Sequence, residues 1–210
     1  MLALPLLPLL PLLPLLLPGA APQPAAGRHA RHVGAQVRAQ AASAPATTGA
    51  TSYAITPQRR ALLNTIRYAE GTWIGGSAAG YRTLYGGGRF TSLERHPEIV
   101  VRCRYTSAAA GAYQFLPGTW REVSRRLHLR DFGPASQDQA ALHLVARRGA
   151  LTLFDRRGVD ATVLARLSKE WASLPASHGG SAYGQPVKRA DDLMRFYRAD
   201  LRRQLAAERG

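Results

Sequence analysis

Hydrophobic and polar positions divide this chain of 210 residues into three regimes. Residues 1–18 are almost wholly Leu and Pro, with Pro5, Pro8, Pro11, Pro14 and Pro18 breaking the run. From residue 19 to about 52 the chain is Ala, Pro, Gly, Ser, Thr and Gln with Arg28, Arg31 and Arg38, and its only larger apolar residues are Val33 and Val37. Such a segment cannot bury a core and reads as a disordered linker. From Tyr53 onward apolar residues return at helical spacing. Leu62, Leu63, Ile66 and Ala69 lie three and four apart, which predicts an amphipathic helix. Thr56 before Pro57 supplies its N-cap and first residue, and Gly71 stops it after Glu70.

The glycine-rich stretch 71–88 predicts a loop and a small β-hairpin turning at Gly86, Gly87 and Gly88. Residues 89–106 read as irregular, with the short apolar run Ile99, Val100 and Val101. Ser107 to Phe115 reads as a short helix of small residues, interrupted by Leu116, Pro117 and Gly118. Trp120, Val123 and Leu127 mark the next helix. Ser136 with Gln139 forms a capping-box pattern ahead of Ala140, Leu142, Leu144 and Val145, and Gly149 ends that helix. Leu151 to Phe154 makes a short piece, and Asp160 caps a helix carrying Val163, Leu164, Leu167 and Trp171. A loop over 175–185 leads to a last helix with Leu193, Phe196, Tyr197 and Leu201. The expected class is α+β, mainly helical with a small antiparallel β-hairpin. The organisation is 1–21 as a signal peptide or hydrophobic segment, 22–52 as linker and 53–207 as the folded domain.

The first segment suits the apolar region of a signal peptide, with Gly19, Ala20 and Ala21 as small residues for cleavage. It lacks a positive leading region, and its prolines are hostile to a helix. Export is therefore the expectation, with a cytoplasmic location if the segment is not a working signal. A stable membrane span is not expected of so short and proline-broken a run.

Charge adds a partner class. Basic residues number 28 and acidic ones 13, a net charge of +15, and only Lys169 and Lys188 are lysines. Such a chain should associate with polyanions: nucleic acid, anionic lipid or an acidic cell wall. A general bias toward Arg codons would give the same composition. The basic residues are spread along the chain without a nucleic-acid motif, so nucleic acid is not the expected partner. The single cysteine, Cys103, leaves no intramolecular disulfide and reads as a small buried apolar residue, not a nucleophile. No metal-ligand spacing is present, and neither a metal nor a cofactor is expected. The patterns of serine hydrolases, zinc proteases and phosphate-binding loops are missing.

What remains is Glu70. A carboxylate at a helix C-terminus faces the negative end of the macrodipole, which raises its pKa and suits a general acid. On these residues alone an ordinary surface glutamate is the simpler reading. Downstream lie Tyr113, Gln114, Trp120, Trp171, Tyr183 and Gln185, a set of rings and amides suited to sugars. Trp120 reads more simply as core. A two-carboxylate glycosidase needs a second acid across the substrate. Residues 71–93 contain none, and the next acidic residue is Glu94. That favours one residue acting first as acid and then as base, with Glu94 and Glu98 left open as partners.

Residues 57 to about 205 resemble the lambda-phage endolysin family, the lysozyme-like lytic transglycosylases of glycoside hydrolase family 104. The matching stretches are Ala69-Glu70-Gly71-Thr72, Gly80-Tyr81 with Gly86-Gly87, and Ser107 through Gln114. They continue with Asp131-Phe132 and Ser136-Gln137-Asp138, Arg148 through Leu151, Trp171 through Pro175, and Tyr183-Gly184-Gln185. The resemblance implies a lysozyme-like fold and an enzyme acting on peptidoglycan glycan strands, cut between N-acetylmuramic acid and N-acetylglucosamine; a monomer is the expected state. It implies that Glu70 is the single catalytic acid and base, that the product is a 1,6-anhydro sugar, and that Ser107, Tyr113, Gln114, Tyr183 and Gln185 line the cleft. Arg82 stands where the family carries an Asp, and the loop before Tyr183 is longer. A hydrolytic lysozyme and a catalytically weak cationic wall-binding module are the alternatives.

Overall fold

The computed structural model describes residues 52–184 and 186–209. The expected signal segment 1–21, residues 22–51 of the linker, and Gln185 lie outside the described residues. Six helices and one two-stranded antiparallel sheet follow in order. They are α1 Pro57–Ala69, β1 Val101–Arg102, β2 Thr106–Ser107, α2 Pro117–Leu127, α3 Pro134–Arg147, α4 Leu151–Arg157, α5 Ala161–Leu167 and α6 Ala190–Ala207. The α+β class stands.

α1 is buried on more than one side. Leu62, Leu63 and Ile66 are in the core, and so are the polar Asn64, Thr65 and Arg67. Most of these polar groups are matched: Asn64 donates to Asp200 of α6 at 2.8 Å, and Arg67 Nη2 donates to the Ser77 carbonyl at 2.9 Å, while Arg67 Nε is buried without a hydrogen-bond partner among the described residues. The Arg67 guanidinium also lies 4.6 Å from the Tyr81 ring centroid and 5.0 Å from that of Trp73. A helix enclosed in this way holds its last residue still. The remaining core joins Phe132, the α3 residues Ala140, Leu142 and Val145, the α5 residues Val163, Leu164 and Leu167, and Leu193 of α6. Trp120 packs edge-on against Phe132 at 4.6 Å between ring centroids, as a core residue.

The caps agree with the sequence at both ends of α1 and at α5. Thr56 accepts from the Arg59 amide, and Asp160 accepts from the Val163 amide at 2.7 Å. The pattern at α3 does not hold. Gly133 is the N-cap and makes no side-chain cap, so Ser136 lies inside the helix. The Ser136 hydroxyl instead donates to Asp131 at 2.7 Å, and Asp131 also accepts from the Gly133 amide at 2.8 Å. Gln139 turns to Tyr53. It accepts from the Tyr53 amide at 2.7 Å and donates to the Tyr53 carbonyl at 2.9 Å, while the Tyr53 hydroxyl meets His143 at 3.1 Å. This clamp marks the first tertiary contact of the described chain on α3.

Cys103, expected to be buried, is exposed, and three expectations about the chain's elements are corrected. The glycine-rich stretch holds short 3-10 turns at Ala78–Arg82 and Tyr85–Gly87, and its hairpin is reduced to one antiparallel bridge, Thr83 to Arg89. The regular sheet lies instead in the region read as irregular, pairing Val101 with Ser107 and Arg102 with Thr106. Ser107 to Phe115 is not helical. Gly111 and Gln114 take positive φ angles of 82° and 48°, which break a right-handed helix, and Ala110 pairs with Phe115 across the resulting turn. The small residues serve close approach without helix. Pro117 opens α2 as its first residue, where its missing N–H costs nothing.

Candidate active site

Glu70 is the C-cap of α1, and the chain leaves it through a complete Schellman motif. The Thr72 amide donates to the Arg67 carbonyl at 2.9 Å and the Gly71 amide to the Tyr68 carbonyl at 3.3 Å. Gly71 takes φ 73°, a left-handed turn that a residue with a Cβ would resist. Thr72 is buried, and its hydroxyl donates to the Ala112 carbonyl at 2.5 Å. The end of α1 is thus pinned to the 111–115 turn.

A third segment closes the arrangement. The indole of buried Trp171 donates to the Tyr113 carbonyl at 3.1 Å, and two residues on the Ser173 hydroxyl donates to Glu70 Oε1 at 2.5 Å. Glu70 keeps a window on solvent while protein surrounds the carboxyl. Burial pushes its pKa up to about 7, and the Ser173 hydrogen bond pulls in the opposite direction. The upward shift expected from the helix end is present, with desolvation as its leading cause. No neighbouring charge contributes to it.

Asp138, Glu94 and Glu98 have surroundings unlike those of Glu70. Asp138 is buried and accepts from the Tyr81 hydroxyl at 2.8 Å and the Tyr113 hydroxyl at 2.5 Å, with the Arg60 guanidinium at 2.7 Å. Glu94 and Glu98 are exposed, and Glu98 faces Arg121 at 3.6 Å. Among the described residues no group of three or more His, Cys, Asp and Glu side chains could hold a metal ion.

The expected cleft residues divide. Tyr113 is fully buried, and burial together with Asp138 pushes its phenol pKa well up. Its side chain therefore stands behind the site and not on an open wall, which corrects its expected place in the cleft. Gln114 is half-buried, with its amide donating to the carbonyls of Thr83 at 3.2 Å and Gly111 at 3.0 Å. Ser107, in β2, accepts from the Ala109 amide at 3.1 Å. Tyr183 is exposed, and its hydroxyl donates to the Lys169 carbonyl at 2.9 Å. No hydrogen bond joins Ser107, Gln114 or Tyr183 directly to Glu70 among the described residues.

Two features were missed. Ser173 lies inside one of the family-like stretches, yet nothing in its local pattern marks it as the partner of Glu70. Flanking Glu70 in sequence, Tyr68 stacks on Phe196 at 4.3 Å between centroids, Trp73 meets the same ring edge-on at 5.6 Å, and Lys188 Nζ lies 4.7 Å over Tyr68. The Lys188 amide donates to the Ser173 carbonyl at 3.2 Å, so this aromatic group adjoins the Ser173 segment.

Comparison with known proteins places these features in context. A family model described as endolysin matches residues 60–202. The endolysin of Escherichia phage lambda is 37% identical over 145 residues, spanning 67% of this chain and 89% of that protein. The endolysin of Escherichia phage P2 is 34% identical over 116 residues, spanning 52% of this chain and 67% of that one. Among solved structures, bacteriophage lambda lysozyme complexed with a chitohexasaccharide superposes with a TM-score of 0.63 at 35% identity, covering 70% of this chain and 96% of that one. A second structure of lysozyme from bacteriophage lambda gives a TM-score of 0.62 at 34% identity with the same coverage.

Proposed function

The chain belongs to the endolysin family, and from that membership we propose that it is a lysozyme-like muramidase that cleaves peptidoglycan glycan strands with Glu70 as its acid and base. The observation that carries the residue assignment is the Glu70 carboxyl itself: half-buried, held by Ser173, and with its pKa pushed up to about 7. A carboxylic acid poised near neutral pH is what protonation of a glycosidic oxygen requires. That the related lambda lysozyme was solved with a chitohexasaccharide supports a glycan as ligand.

The carboxylates around Glu70 support a finer reading of the reaction. A retaining or inverting glycosidase sets a second carboxylate within about 5–10 Å of the first. Such a partner would raise the Glu70 pKa by like-charge repulsion, whereas burial raises it and the Ser173 hydrogen bond lowers it, with no carboxylate of the described residues among the causes. In the reading this supports, protonated Glu70 gives its proton to the glycosidic oxygen between N-acetylmuramic acid and N-acetylglucosamine, and the C1–O bond breaks. The resulting carboxylate then takes the proton of the muramyl 6-hydroxyl as that oxygen bonds to C1. The product is a 1,6-anhydro sugar, no water is consumed, and Glu70 ends protonated as it began. Gln114, Ser107, Tyr183 and Gln185 are the substrate contacts of this proposal, with Tyr113 as support from behind. The folded domain spans 53–207, and the enzyme reaches the wall by export or release. No helix among the described residues is long and apolar enough to cross a membrane.

Mass spectrometry of digested peptidoglycan tests both levels. Anhydro-muramyl products from the parent, and no products from Glu70→Gln with wall binding retained, are expected. Hydrated products alone would replace the transglycosylase with a hydrolase. Undiminished clearing by Glu70→Gln would remove Glu70 from the chemistry.

A further inference from the structure

Away from Glu70, one concavity carries charge that the proposed reaction leaves unused. The end of α3, the face of α5 and the residue after its C-cap enclose a pocket of about 400 Å³ lined by Arg147, Arg148, Thr162, Ala165, Arg166 and Lys169. Four of these six are cations. Arg147 is paired with Glu122 at 3.0 Å and Glu170 at 2.8 Å, and Arg148 with Glu170 at 2.8 Å. Those two guanidinium groups are thereby fixed in place. Arg166 donates only to the Gly149 carbonyl, at 2.8 Å, and neither Arg166 nor Lys169 has a carboxylate within ion-pair reach among the described residues. Both are exposed. The pocket thus has walls of two charge-compensated guanidinium groups, two uncompensated positive charges in Arg166 and Lys169, and the hydroxyl-bearing Thr162.

Its position gives the charge a use. The Lys169 carbonyl accepts from Arg148 Nη2 at 3.3 Å and from the Tyr183 hydroxyl at 2.9 Å. One backbone group therefore ties the pocket wall to the exposed tyrosine of the loop whose far end bonds Ser173 through Lys188. A wall polymer lying along Tyr183 has this pocket beside it.

We propose that the pocket binds a phosphoryl group of a phosphodiester-linked anionic wall glycopolymer and so holds the enzyme beside the strand it cuts. The idea rests on the wall-enzyme reading above, but its measurement is binding and not cleavage. A guanidinium fork and a mobile ammonium together match the several acceptor oxygens of a phosphoryl group. A lipid headgroup is the less fitting source of the same chemistry. Ala165 is the only apolar lining residue, so nothing here could insert into a bilayer as an interfacial binder does.

The test titrates a glycerol-phosphate oligomer into the full chain by calorimetry, at low and at physiological salt. Arg166→Ala/Lys169→Ala is compared with Arg198→Ala/Arg202→Ala, which removes the same charge from exposed positions of α6. The pocket variant should lose affinity about tenfold or more, as expected for two charge-assisted contacts, while the α6 variant stays within about twofold. Cleavage of a phosphate-free glycan should be unchanged in both. Equal losses in the two variants would reduce the effect to diffuse charge and overturn the pocket. Absence of saturable binding by the parent would also overturn it. Pocket-dependent binding confined to phosphatidylglycerol vesicles would overturn the glycopolymer as occupant. Glu70→Gln should bind the oligomer as the parent does, so loss of the catalytic reading leaves this result readable.

Discussion

Ser173 donates its hydroxyl hydrogen to Glu70 Oε1 across 103 residues of sequence. A hydrogen bond to the charged form of a carboxyl lowers its pKa, against the burial that raises it. Ser173→Ala should therefore move the alkaline limb of the pH–activity profile to higher pH, because the acid keeps its proton longer. With the carboxyl less firmly held, the rate at the optimum should fall about tenfold, the worth of one hydrogen bond to a charged group. A pH profile of wall clearing checks both. An unmoved limb would mean that the two groups do not share a proton-linked interaction.

Glu70 also writes itself into stability. Its folded pKa of about 7 lies above the ordinary value of 4.5, so the folded state holds its proton more tightly than the unfolded chain. The stabilisation this gives is fully present below about pH 4.5 and is lost as pH rises through 7. Glu70→Gln has no such proton to lose. Relative to the parent, the variant should gain up to about 3 kcal/mol on going from acid to pH 8. Tm measured for both proteins across that range gives the difference, which should open between pH 5 and 8 and be flat below.

Asp138 gathers the Tyr81 and Tyr113 hydroxyls and the Arg60 guanidinium. Asp138→Ala leaves three donors without their acceptor in a buried place and should cost about 3 kcal/mol. Tyr113→Phe removes one donor and leaves Asp138 two partners, so about 1 kcal/mol is expected. Urea denaturation of the two variants should reproduce this order.

Gly80 lies against the loop that follows Glu70. A Cβ there would stand 2.2 Å from the Thr72 carbonyl oxygen and 3.0 Å from Arg67 Nη2. The first of these is backbone and cannot swing away. Gly80→Ala should destabilise by about 2 kcal/mol and lower activity through displacement of Thr72, with Glu70 itself untouched. Thermal unfolding and wall clearing together distinguish this from simple surface tolerance.

The sequence was most readable where a local rule decides the outcome. The Thr56 and Asp160 caps, the Gly71 stop and the apolar spacing of α1 depend on neighbours a few residues away, and they stand as expected. The turn at 107–115 was misread because small residues suit both a helix and a close-packed loop. The choice is made by Gln137, which accepts from the Ala112 amide at 2.8 Å and donates to the Tyr81 and Phe132 carbonyls. The α3 pattern misled because Pro134 opens the helix two residues before Ser136, whose hydroxyl bonds Asp131 instead of a first-turn amide. Position at a helix end pointed to Glu70, but the cause of its raised pKa is the surrounding protein, which no local spacing encodes. Ser173 escaped notice for the same reason. Tyr113 was chosen for its chemistry, and the partner of its buried hydroxyl is Asp138 of α3, 25 residues away in sequence.

The Tyr53 clamp has a mechanical consequence. Gln139 grips both the amide and the carbonyl of Tyr53, four residues ahead of the first helical residue. Tension on the chain ahead of Tyr53 is therefore taken up by α3 before it reaches α1. The helix that ends in Glu70 is insulated from the pull of whatever precedes it.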